Sequence, residues 1–169
     1  MTMKTHCTLA LLAAGVLLAG CASNDNHLVL GAVGPSAPMS ATVPSNNGTL
    51  VVYSAYKRNA DFNSRDPLAQ EYSDYRIFTA DDKALRDVHN NSGTIDQGPL
   101  AVELAPGTYR VVARANGYGY VTVPVVIEAK QTTVLHLDGG AWPDNSSSDP
   151  ANAVRLPDGH IIGWKAAGN

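Results

Sequence analysis

The strongest nucleophiles in this chain are its two thiols, Cys7 and Cys21, and both lie within the first 21 residues. Cys21 directly follows Leu18-Ala19-Gly20. A thiolate is a strong nucleophile and is readily modified covalently. The chemistry expected there is modification of the protein itself rather than turnover of a substrate. Past residue 21 no cysteine occurs, so neither a disulfide nor a thiolate metal site is available to the remainder. His6 precedes Cys21, and His27, His89, His136 and His160 fall in separate segments without the H-x-x-x-H or H-E-x-x-H spacing that sets two imidazoles on one metal. His136 lies on the outward row of its strand and reads as a surface residue. Asp61, Asp66, Asp74, Asp81 and Asp82 offer loop oxygens of the kind calcium takes, but without EF-hand spacing, and read as turn and solubility residues. No G-x-S-x-G elbow is present. We therefore expect no catalytic residue, no metal and no cofactor, and read the chain as a non-enzyme. Four rings are the candidate ligand or partner contacts: Tyr118, Tyr120, Trp142 and Trp164, which would act by stacking. Glycines on both sides of Tyr118 mark it as the displayed one.

The segment that positions Cys21 is an address. A short polar start with one cation, Lys4, runs into an apolar stretch, Leu9 to Ala19, about as long as a signal-peptide core and too short for a ~20-residue membrane span. Leu18-Ala19-Gly20-Cys21 resembles the lipobox of bacterial lipoproteins at all four positions. The resemblance implies cleavage after Gly20, lipid on Cys21, and attachment to a bilayer by acyl chains contributing ~0.8 kcal/mol per buried CH₂. Ala22, in place of the Asp that favours inner-membrane retention in that family, implies the outer membrane with the domain facing the periplasm. Residues 22–48 are rich in Ala, Ser, Asn, Pro and Gly, a tether composition, with one apolar interruption at His27-Leu28-Val29-Leu30 that suits packing along the domain as an edge strand, the alternative being a place near the lipid headgroups.

Beyond the tether, periodicity predicts strands. Thr49–Lys57 is β-branched and aromatic on both faces; a polar loop of about 15 residues follows from Arg58 to Ser73, and Tyr75–Thr79 with Ala84–His89 makes a hairpin around Asp81-Asp82. Asn90 opens a second loop. From Leu100 to Asp138 four rows alternate inward: Leu100, Val102, Leu104; then Tyr109, Val111, Ala113, Ala115; then Val121, Val123, Val125, Ile127; then Thr133, Leu135, Leu137. Pro106-Gly107 suits a type II reversal, and Pro124, which cannot donate to a ladder, marks its strand as an edge or a bulge. Residues 139–153 read as a solvated linker, and residues 154–165 as a C-terminal hairpin around Pro157-Asp158-Gly159, docked on its own domain.

Leu104-x-Pro106-Gly107-x-Tyr109-x-Val111, the Gly117-Tyr118 pair, the valine-rich strand and Thr133-x-Leu135-x-Leu137 resemble the second half of carboxypeptidase-regulatory-like and PEGA-type domains. That resemblance implies an all-β fold, an antiparallel β-sandwich of about seven strands with prealbumin-like topology, over residues 49–138. A fibronectin type III domain, which also sets a Tyr after a Leu-x-Pro turn, is the nearest competitor. The transthyretin-like hydrolases of the same broad class end in Tyr-Arg-Gly-Ser, whereas this chain ends Ala166-Ala167-Gly168-Asn169. A net charge of -3 with 16% charged residues offers no basic field for nucleic acid. The expected function is a lipid-anchored envelope protein whose sandwich holds an envelope partner. The alternative is a carbohydrate- or peptidoglycan-binding module built on the loop aromatics.

Overall fold

A computed structural model of the chain describes residues 27–38, 46–57, 71–90, 98–142 and 149–166. Leu18, Ala19, Gly20 and Cys21, and most of the first predicted loop with Asp61 and Asp66, lie outside the described residues. The described part is all-β apart from one 3₁₀ turn at Pro150–Asn152. Its strands are β1 (Leu28–Val29), β2 (Ala37–Pro38), β3 (Gly48–Tyr53), β4 (Tyr56–Lys57), β5 (Glu71–Tyr72), β6 (Tyr75–Thr79), β7 (Ala84–Val88), β8 (Ala101–Leu104), β9 (Gly107–Ala115), β10 (Gly119–Ile127), β11 (Gln131–His136), β12 (Ala153–Arg155) and β13 (Ile161–Trp164).

Two sheets share one core: a five-stranded sheet in the order β1-β10-β9-β6-β7 and a four-stranded sheet in the order β2-β11-β3-β8. The rows that alternation turns inward meet there. Val111, Ala113 and Ala115 of β9, Val121 to Ile127 of β10, and Tyr75 and Ile77 of β6 pack with Leu50, Val52, Val102, Leu104, Leu135 and Leu137 of the other sheet. β9 and β10 pair over their full nine residues, from Gly119↔Ala115 to Ile127↔Gly107. The tight turn between them needs positive φ at Gly117 (81°) and Gly119 (68°), which only glycine adopts without cost.

Several elements differ from the sequence expectation, each for a physical reason. The ladder is not purely antiparallel, because β3 runs parallel to β11 and β1 parallel to β10. These partners are far apart in the chain, and a parallel pair can only join strands with a long crossover between them. Pro106-Gly107 does not close a hairpin: β8 pairs with β3, whereas β9 pairs with β10 and β6, so the chain changes sheets there. Tyr109 Oη donates to the Ala105 carbonyl at 2.9 Å and holds that corner. The predicted first strand breaks after Tyr53, where Ser54 turns inward and its hydroxyl donates to the Ser73 carbonyl. Beyond the break a short β4–β5 ribbon forms.

His27-Leu28-Val29-Leu30 packs along the body as expected, with β1 at the edge of the five-stranded sheet. The packing also extends further than that apolar run, to Val33, which is fully buried and whose backbone completes an open strand edge. Val33 N–H donates to the Pro124 carbonyl and the Val33 carbonyl accepts from Val126 N–H, a bridge opposite Val125; with Leu30 N–H on the Thr122 carbonyl, the bonds pass on either side of the Pro124 nitrogen, which has no proton to donate. Pro124 therefore sits on the last long strand of its sheet with its deficient edge covered. Val33→Asp, which would bury an unpaired charge, is expected to cost more than ~3 kcal/mol in chemical denaturation. Val29→Asp, nearby but 67% exposed, is expected to stay within ~0.5 kcal/mol.

The linker and hairpin also join the body. Asp149 caps the 3₁₀ turn by accepting from Ala151 N–H, and Trp142 is half-buried. β12 and β13 dock through Val154, Leu156, Ile162 and Trp164, all buried, with Trp164's carbonyl accepting from Gly34 N–H.

Candidate functional site

Strand alternation gives the five-stranded sheet an outer face that the described residues leave open. β6 presents Arg76 and Phe78 there, β9 presents Arg110 and Val112, β7 presents Asp87, and β10 presents Tyr120. With His27, Asp74 and His89 they line a shallow groove of about 790 Å³. Its charges are already matched in pairs. Arg76 Nε lies 3.2 Å from Asp87 Oδ1, Arg110 Nη2 lies 2.8 Å from Asp82 Oδ1, and His89 Nδ1 lies 3.0 Å from Asp74 Oδ2. The Arg110 guanidinium also sits 4.4 Å above the Phe78 ring. Pairs this exposed contribute under ~1 kcal/mol each, so a partner's carboxylates and cations can replace them at little cost. Tyr120 stands at one end, 52% exposed, its ring tilted against His27 at 5.8 Å. Tyr75, which alternates with the outward Arg76 on β6, turns its side chain into the core, and burial pushes its phenol above the ordinary value, partly offset by Arg86.

The outer face of the four-stranded sheet is covered. A continuous run of rings crosses it: Trp164 against Trp142 at 4.0 Å, Trp142 against His136 at 4.5 Å, His136 stacked on Tyr53 at 4.2 Å, then Tyr72 and Tyr56. His136, expected at the surface, is therefore buried. Alternation placed it correctly on the outward row, but Trp142 packs over that row. Burial by itself would raise the pKa of Asp138; the His136 imidazole at 3.3 Å and the Gly140 backbone N–H outweigh it and hold the carboxyl below its usual value. Because the folded value is lowered, the stabilisation is complete above pH ~4 and is lost as pH falls through that lowered value. Thermal melts are expected to lose stability on acidification below pH ~4, and Asp138→Asn is expected to flatten that dependence.

The four candidate rings do not form one platform. Tyr120 is displayed on the groove. Tyr118, expected to be the displayed one, is half-buried, and its hydroxyl accepts from Asp158 N–H at 3.0 Å, joining the β9–β10 turn to the hairpin. Trp142 donates from Nε1 to the Ile161 carbonyl at 2.9 Å, and Trp164 is buried beneath it. The glycines beside Tyr118 serve the turn and do not expose the ring.

The acidic residues have local partners: Asp81 accepts from Thr79 Oγ1 and pairs with Lys83, while Asp82 and Asp74 hold Arg110 and His89. Among the described residues no group of three or more His, Cys, Asp or Glu side chains comes together to hold a metal. Two polar features escape a reading by motif. Asn90, expected in an open turn, is buried; it donates to Ser54 Oγ and the Ser73 carbonyl and accepts from Leu100 N–H, clamping both long loops at their roots. The spacing of His136 and Asp138, two apart in an extended segment, was the available signal for the second. No family model matches the chain, and no curated protein or solved structure matches it either.

Proposed function

We propose that this chain is a lipid-anchored cell-envelope protein of the outer membrane, tethered through Cys21, whose β-domain binds an envelope protein partner without catalysis. In this reading its two sheets form a seven-stranded sandwich of prealbumin-like topology, related to carboxypeptidase-regulatory-like and PEGA-type domains, with β1, β2 and the hairpin as additions. The observation that carries the binding role is the contrast between the two outer faces. One is closed by the chain's own hairpin and ring stack, and the other keeps an open groove with exchangeable ion pairs and apolar floor residues, Phe78 and Val112. Phe78 and Val112 give a partner apolar area to cover, and the exposed ion pairs around them give it charges to match.

A photo-crosslinking residue placed at Phe78 or Val112 in cells tests this. It is expected to capture one envelope protein, while the same residue at Arg155, exposed on the hairpin, captures none. Absence of any adduct from the groove positions would contradict the reading. The alternative, a saccharide or peptidoglycan module, draws support from the displayed Tyr120 ring beside paired guanidinium and carboxylate groups. It requires retention on peptidoglycan that Tyr120→Ala removes.

A further inference from the structure

The point at which the chain enters the body has a consequence for how the body sits. His27 is the first described residue, and β1 follows at the extreme edge of the five-stranded sheet. Only five residues, 22–26, lie between Cys21 and His27. However they run, they span at most about 20 Å, since an extended chain advances ~3.3–3.6 Å per residue. A domain of this size is ~34 Å across, so a leash of that length cannot bring its far side to the surface on which Cys21 is held.

The edge nearest the leash is also apolar where it needs no core. Val29 is 67% exposed and Tyr120 52% exposed. β1 pairs with β10 in the register Leu28↔Val121 and Val29↔Thr122, and the His27 ring lies against Tyr120, so the three side chains share one rim of the outer face. Tyrosine, with an apolar ring and a polar tip, is at home in the headgroup layer of a bilayer. We propose that the rim formed by His27, Val29 and Tyr120 rests on the lipid headgroup surface, orienting the domain with the near end of its groove at the membrane. This rests on the lipid-anchor reading. It goes beyond it by assigning a face and an orientation, and it brings the groove within reach of a partner that is itself bound to the bilayer.

The test uses the mature lipoprotein in vesicles that contain headgroup spin-labelled lipid. If Cys21 is acylated and Cys7 removed with residues 1–20, a single introduced cysteine is the one reactive thiol. A fluorophore is attached at Val29→Cys, at Leu85→Cys on β7 across the sheet, or at Glu128→Cys beyond the far end of β10. All three positions are exposed, so the fold is retained, and Leu85 controls for an apolar setting. Quenching several-fold greater at position 29 than at 85 and 128 is expected. Equal quenching at the three positions on an acylated protein would overturn the orientation while leaving the anchor intact. An N-terminal peptide mass without acyl groups on Cys21 would overturn both, and the two failures are told apart by that mass.

Discussion

Removing residues 140–169 is expected to abolish the cooperative melting transition of the domain. The hairpin places Val154, Leu156, Ile162 and Trp164 in buried positions, and three of these belong to the same apolar cluster as the two sheets. Burial of such side chains contributes roughly 1.5–3 kcal/mol each, so the four together approach the whole stability of an ordinary domain, about 5–15 kcal/mol. The truncation would also expose Val33 and, by removing Trp142, His136. A point variant makes the same case without shortening the chain. A Cβ at Gly163 would lie 2.5 Å from Val33 Cγ1, closer than carbon atoms pack. Gly163→Val is therefore expected to cost about 1–3 kcal/mol, read as a shift in the denaturation midpoint at unchanged slope. An unchanged melting curve for the truncated protein would show that the hairpin adds nothing to the body.

The second large effect concerns location. Cys21→Ala is expected to move the protein almost completely from the membrane to the soluble fraction, because each buried CH₂ of a lost acyl chain is worth ~0.8 kcal/mol and two or more chains are needed for stable anchoring. The domain should stay folded, since its apolar core is built from residues between Val33 and Ile162 and contains no cysteine. Far-UV circular dichroism of the released protein, matching the anchored form, checks that point. Continued sedimentation of the variant with membranes would mean that something other than lipid on Cys21 holds it.

Most of the core was legible in the sequence, because alternation in a strand determines which side each residue takes. Val111, Ala113, Val121, Val123, Leu135 and Leu137 are inward for that reason alone. Alternation is silent on what covers the other side. His136 and Tyr53 sit on outward rows and are stacked under Trp142, a residue that a composition average assigns to a solvated linker. The same averaging hid Val33, one apolar residue in a Pro- and Gly-rich stretch, whose place comes from an edge far along the chain that lacks a donor at Pro124. Pairing direction was equally illegible: nothing local in Leu50 or Thr133 states that their strands run parallel. In the candidate site, Tyr120 was legible as an aromatic near a turn. Its companions Arg76, Phe78 and Arg110 were not, because they converge only when β6 is inserted beside β9.

In the proposed function Cys21 determines where this domain works and β1 how it is held, so the chemistry of Cys21 is the first thing to measure. Mass spectrometry of the mature protein's N-terminal peptide, taken from the membrane fraction, tests it most directly. The account predicts a chain that begins at Cys21 and carries the added mass of its acyl groups. A mature chain that retains residues 1–20, or one with an unmodified Cys21, would contradict it.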